Sequence, residues 1–218
     1  MSVGLDATSY YTRSTNLPTI TSFTMMAWVY YTNLTGYKGW ASLGSDSTYF
    51  YMNGSYADGL NFVWNGDIEA TNSTQISLST WYHCAITVSG TGAGNFLDYF
   101  DTVLDITHAG NSSISSGMMH IGHSYGNDPL QGRICAVKIW NRVLTQAQIA
   151  AERYYGYAVD DSSINGVYKL RVPETTDYSG NGYSLTTVGT GHTTQTDPIG
   201  ITWDEPEPPS DLFWVVSA

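Results

Sequence analysis

W-Y-H-C-A-I-T-V (Trp81–Val88), N-F-L-D-Y-F-D-T-V-L-D-I-T (Asn95–Thr107), M-H-I-G (Met119–Gly122) and G-R-I-C-A-V-K-I-W-N-R-V-L-T-Q-A-Q-I (Gly132–Ile149) follow one another along the chain. The first alternates two faces, as a strand does. The second reads as two strands turned about Asp101-Thr102, and the third as a short strand. The fourth opens as a strand and ends in a helix. Thr145 is a good N-cap and Gln148, three residues on, completes a capping box. Leu144, Ile149 and Tyr154 are expected to form the apolar stripe of this helix, with Gly156 ending it near Tyr155.

Outward from this stretch the same grammar repeats. Val3–Asp6 and Tyr10–Arg13 are strand candidates, and F-T-M-M-A-W-V-Y-Y (Phe23–Tyr31) reads as a long central strand with Trp28 toward the core. W-A-S-L-G (Trp40–Gly44), T-Y-F-Y-M (Thr48–Met52) and L-N-F-V-W (Leu60–Trp64) follow, with Asn53-Gly54 and Asn65-Gly66 as hairpin-turn dipeptides. Aromatics make up 14% of the 218 residues, including 17 Tyr and 7 Trp, while charged residues are only 12%. Aromatic side chains fit a pleated, half-buried surface, and the 22 glycines suit many tight turns. The predicted class is all-β: a two-sheet antiparallel sandwich with one short helix.

The order strand, hairpin, short strand, strand, capped helix resembles the laminin-G-like and pentraxin-like branch of the concanavalin A-type jelly rolls. The resemblance implies a scaffold that presents loops to a glycan or a protein and seldom does chemistry. It divides the chain into a jelly roll over 1–156, late strands over 157–200, and an acidic Pro-rich tail with an apolar terminal strand over 201–218. G-V-Y-K-L-R-V-P (Gly166–Pro173) and D-Y-S-G-N-G-Y-S-L-T (Asp177–Thr186) carry a D-x-S-G-N-G turn. In laminin-G-like jelly rolls that turn usually opens the domain. Here it comes late, so the strand order is permuted or a partial unit is appended, and these strands are expected to finish or extend the sandwich.

Composition excludes several partners. A net charge of −11 with 8 scattered Lys and Arg argues against nucleic acid and against an anionic membrane surface. No 18-residue apolar run is present, so membrane insertion is not expected. The N-terminal M-S-V-G-L-D-A-T-S-Y has neither a charged region nor an apolar one, so it does not read as a secretory signal. The four sequons at Asn33, Asn53, Asn72 and Asn111 are accordingly read as unglycosylated. Cys84 and Cys135 lie inside predicted strands, either as buried thiols or as one disulfide.

Catalytic patterns are missing from the sequence. The glucanases of this superfamily use E-x-D-x-x-E on one strand, which sets alternate carboxylates on one face. Here the glutamates are Glu69, Glu152, Glu174, Glu205 and Glu207, and Asp67-Ile68-Glu69 has the i, i+2 spacing but follows a turn and lacks the third acid. His83, His108, His120, His123 and His192 form no triad pattern. His120 alternates with Ile121, which points them to opposite faces. No enzyme activity is expected.

Calcium is the metal candidate, since Ca²⁺ takes about 6–8 oxygen ligands from flexible loops. The resemblance to pentraxins maps Asp58, Asn127 and Asp128 onto a metal rim, with Gly59 where those proteins carry an amide. For carbohydrate the candidates are Tyr37, Trp40, Tyr56 and Tyr125, because sugar rings stack on exposed aromatic faces. Trp28, Trp64, Trp81 and Trp140 lie in strands and are read as core. D-E-P-E-P-P-S-D (Asp204–Asp211) is an extended, solvated spacer. The apolar Leu212, Phe213, Trp214, Val215 and Val216 behind it close the chain's own sheet or add to a neighbour's edge. The resulting expectation is a non-catalytic display or adhesion module on a virion surface, a head decoration or fibre protein. It would be a homo-oligomer that binds a capsid or other virion protein, and glycans as well. Laminin-G-like domains of bacteriophage and marine bacterial surface proteins look similar. The alternative is a secreted or cell-surface bacterial lectin-like module, which is extracellular.

Overall fold

Asp101 and Thr102 both adopt left-handed backbone angles, φ 48° and 73°, the geometry of a two-residue hairpin turn. The strands they join pair Phe100 with Val103. The computed structural model that gives these angles describes residues 1–13, 19–36, 38–44, 59–64, 67–90, 92–110, 117–124, 128–171 and 174–204. In chain order its strands begin with β1 (Ser2–Leu5), β2 (Tyr10–Arg13), β3 (Ser22–Tyr31), β4 (Ala41–Gly44), β5 (Gly59–Trp64) and β6 (Asp67–Gln75). The next are β7 (Trp81–Ser89), β8 (Gly92–Phe100), β9 (Val103–Gly110), β10 (Met118–Ile121), β11 (His123–Ser124), β12 (Asp128–Pro129) and β13 (Gly132–Trp140). After the helix α1 (Gln146–Glu152) come β14 (Ile164–Tyr168), β15 (Leu185–Val188) and β16 (Thr193–Gln195).

Two antiparallel sheets face each other. The larger has the order β16-β1-β13-β3-β7-β8-β9, with β14 pairing the far half of β13. The smaller has the order β15-β2-β10-β4. The late strands therefore belong to both layers: β16 edges the first, and β15 edges the second through Leu185 opposite Arg13. The main core lies between the layers and is built from inward residues of both sheets, among them Val3, Tyr11, Phe23, Met25, Tyr31, Ile86, Ile121, Ile134 and Tyr168.

Cys84 sits in this core, whereas Cys135 belongs to a cluster with Trp28 and Ala136 on the opposite face of the same sheet. Side chains on opposite faces cannot bridge. Both thiols are free and buried, and burial raises their pKa values well above the ordinary thiol range.

The outer face of the first sheet carries a second apolar layer. Met26, Ala85, Tyr99 and Trp140 meet Leu144, just ahead of the helix, and Ile149 within it. The capping box forms as expected, with Thr145 accepting from Gln148 N at 3.3 Å and Gln148 accepting from Thr145 N at 2.9 Å. The helix ends earlier than expected, at Glu152 with Arg153 as its cap. Tyr154 lies past that end and is 52% exposed, so it is not part of the apolar stripe. Gly156 does not cap the helix. A Cβ there would stand 2.3 Å from the Trp203 ring, so this glycine lets residues 201–203 dock. They do so through Gly156 N to Thr202 O and Thr202 N to Tyr154 O, 2.7 and 2.8 Å. Ile201 and Trp203 then pack on the Trp28–Cys135–Ala136 cluster as a strap across the sheet.

The D-x-S-G-N-G turn is a clasp on β14. Asp177 accepts from Val167 N, Ser179 N and Tyr183 N within 3.1 Å, and Asn181 Nδ2 donates to Ile164 O at 2.9 Å. Four backbone groups that the ladders leave over are satisfied in this way.

Candidate functional site

Strand register lines up the outward residues of the first sheet in rows. Gly4 is opposite Arg133, Arg133 opposite Tyr30, and Tyr30 opposite Trp81. The next row runs Cys135, Trp28, His83 and is covered by the strap and by Arg153, whose guanidinium lies 4.9 Å from the Trp28 ring centroid. Helix α1 covers the rows beyond. The first row is left half-open: Tyr30, Trp81 and Arg133 are each partly exposed.

Beside this row lies a groove of about 360 Å³, lined among others by Gly4, Asp6, Thr32, Arg133, Thr193 and Gln195. Its floor is Gly4, whose missing Cβ would stand 2.5 Å from Thr193 Oγ1 and 2.8 Å from Gln195 Cγ. Asp6 forms one wall. Its Oδ1 accepts from Thr8 N and Thr8 Oγ1, each at 2.9 Å, and those bonds hold its carboxyl below the usual range. Arg133 forms another wall, with its Cζ 4.4 Å from the centroid of the Tyr30 ring and Nη1 donating to Thr196 Oγ1 at 2.8 Å. Tyr30 and Trp81 continue the surface as tilted rings with centroids 5.4 Å apart. The arrangement offers two partly exposed aromatic rings, a carboxylate, a guanidinium, an amide and two hydroxyls. That inventory suits a polyhydroxylated ring, which has apolar C–H faces and a rim of donors and acceptors.

These residues differ from those expected. Trp40 is 1% exposed within the main core, so its ring faces are covered and it cannot serve as a stacking platform; it sits where the chain enters β4 between the layers. Trp81, read as core, is on the open row instead. Tyr37, Tyr56, Tyr125, Asp58, Asn127, the side chain of Asp128 and the tail residues Leu212, Phe213, Trp214, Val215 and Val216 lie outside the described residues, as do Thr48–Met52, Asn53-Gly54 and Asn65-Gly66. Among the described residues no group of three or more His, Cys, Asp or Glu gathers to hold a metal. A signal for the half-open row was present in G-R-I-C-A-V-K-I-W: a charged residue in an apolar strand marks where that face is uncovered or paired.

The histidines have structural surroundings. His120 and Ile121 do point oppositely, Ile121 into the core and His120 Nδ1 to Ser42 Oγ at 3.2 Å. His123 stacks on Tyr10 at 4.3 Å. Burial lowers the pKa values of both, that of His123 to about 4. His83, packed edge-on to Trp28, is held well below its ordinary value by burial first and by the positive charges of Lys138 and Arg153 after that. These rings stay neutral in the fold, while the unfolded chain takes up protons as pH falls through about 6.5. Their contribution to stability is therefore full above pH 6.5 and shrinks below it. Urea midpoints are expected to fall progressively between pH 6.5 and 4, with a shallower fall for His83→Gln.

A family model described as the concanavalin A-like lectin/glucanases superfamily matches residues 5–150. No curated protein matches the chain. Among solved structures, a Bacteroides ovatus protein named as a candidate carbohydrate-binding protein superposes with a TM-score of 0.69 at 19% identity. The match covers 91% of this chain and 63% of that one, so the chain spans under two thirds of that protein's length. Domain 4 of an extracellular arabinanase from Geobacillus stearothermophilus, solved with arabinotriose, gives 0.59 at 17% identity over 70% of this chain and 76% of that one. The heptameric SAP-like pentraxin of Limulus polyphemus gives 0.57 at 15% identity, covering 86% and 94%. At these identities the structural matches establish the fold.

Proposed function

The chain belongs to the concanavalin A-like lectin/glucanases superfamily, and from that premise we propose that it is a non-catalytic carbohydrate-recognition module. Its binding surface is the groove over Gly4 with the Tyr30–Trp81 row beside it. The observation that carries this reading is the juxtaposition of two partly exposed aromatic rings with a groove lined by a carboxylate, a guanidinium, an amide and hydroxyls. The names of the Bacteroides and Geobacillus structures, one a candidate carbohydrate-binding protein and the other bound to arabinotriose, support it as analogies of fold. The test is a glycan array followed by calorimetry on the hits. Saturable binding supports the reading, and its absence across plant, bacterial and animal glycans ends it. The loop residues Tyr37, Tyr56 and Tyr125, with calcium at Asp58, Asn127 and Asp128, are the competing candidates. Binding lost with a chelator and unchanged by Trp81→Ala would favour that site.

Within this function we place the protein on a virion surface, docked to a capsid or other virion protein as a homo-oligomer. The acidic, charge-poor composition and the apolar Leu212–Val216 segment behind a Pro-rich spacer support this, and secretion as a bacterial lectin-like module is the alternative. Removing residues 205–218, beyond the strap, is expected to leave the melting temperature within about 2 °C of the parent while abolishing assembly, read by light scattering. Assembly that survives the deletion contradicts the docking role of the tail.

A further inference from the structure

We propose that the groove selects a sugar bearing a single carboxylate and that Arg133 is the group that reads it. The proposal rests on the groove being the carbohydrate site. Cations are scarce here, 8 in all against 19 acidic residues. Lys138, Arg142, Arg153 and Lys169 each pair with a carboxylate. Arg133 forms no ion pair among the described residues. It is fixed instead by a neutral hydroxyl, Thr196 Oγ1, and by the Tyr30 ring. A guanidinium carries five N–H donors in one plane, so one bond to a hydroxyl leaves donors for a bidentate carboxylate. Because the ring and Thr196 already restrain it, little rotamer entropy remains to be lost on binding.

The rest of the groove limits the ligand to one such charge. Asp6 is an ionised wall that favours hydroxyl donors and repels a second anion, and the net charge of −11 repels polyanions. Thr32, Thr193 and Gln195 offer neutral donors and acceptors, matched to ring hydroxyls. The shared chemistry is a carboxylate on a pyranose, whether a uronic or a sialic acid.

The test is calorimetry on the full chain with matched pairs: galacturonate against its methyl ester, and sialyllactose against lactose. At least one acidic member is expected to bind 10-fold or more tightly than its neutral match, and which pair responds identifies the source. Arg133→Gln is expected to weaken the acidic ligand roughly 10- to 100-fold and its neutral match by no more than about 3-fold, and Arg133→Lys retains part of the preference. Trp81→Ala is expected to weaken both members alike. Equal affinity within both pairs, equal loss of both on Arg133→Gln, or a poly-glutamate peptide binding as tightly as the acidic sugar overturns the proposal. Binding of neutral sugars without acid preference leaves the proposed function standing and removes this inference. Binding of none removes both.

Discussion

Glu152→Ala is expected to cost about 3–5 kcal/mol of folding stability, the largest effect of any single substitution outside the sandwich core. Lys138 and Glu152 are each 1% exposed, with Nζ 2.7 Å from Oε2. Nζ also donates to the Glu152 and Tyr157 carbonyls at 2.7 and 2.9 Å, and Glu152 Oε1 accepts from Val159 N and Asp160 N at 2.9 and 2.8 Å. Burial holds the ammonium below its ordinary value, at about 8, against the pull of the carboxylate, so it is charged at neutral pH. Truncating Glu152 leaves that charge buried with two carbonyls only and strips two backbone N–H groups of their acceptor. A Lys138→Met, Glu152→Leu double variant is expected to recover part of the loss, because no charge stays buried. Urea titration reads the difference, and a Glu152→Ala midpoint within about 1 kcal/mol of the parent contradicts this account. The pair pins the end of α1 and residues 157–160 onto β13, which decides which rows of the sheet are covered.

Trp81→Ala is expected to weaken glycan binding by about 2–4 kcal/mol, roughly 30- to 1000-fold. The ring is the largest apolar surface on the open row, and a sugar stacked on it loses both the area and the directional contact. Trp81 also packs against the Trp28 cluster, so some stability goes with it. Trp81→Phe separates the two roles: it keeps a stacking face and is expected to retain most of the affinity. Affinity that falls only in step with stability across Ala and Phe would make Trp81 a packing residue.

Local chemistry was legible in the sequence. Asp101-Thr102 and the Thr145–Gln148 box are decided by neighbours a few residues apart, and the structure has both. The alternation of Trp81–Val88 predicted a strand, but not which of its two faces would be covered. On this sheet both faces are largely buried, and the exception depends on distant partners. Gly4 meets Thr193 across most of the chain, and the strand that brings it there, Thr-Thr-Gln, carries no apolar signal. The strap that covers Trp28 but stops short of Tyr30 docks through Gly156, which looked like a helix terminator. Trp40 failed as a platform for the converse reason: a loop-adjacent aromatic at a strand start can turn inward.

On the proposed function, sugar sits on the outer face of the first sheet. Amide chemical-shift mapping during titration with a glycan from the array locates it directly. Shifts are expected to concentrate at Gly4, Asp6, Tyr30, Trp81, Arg133, Thr193 and Gln195. Saturable shifts confined to the second sheet, around Tyr10, Ser42, His120 and His123, would contradict it.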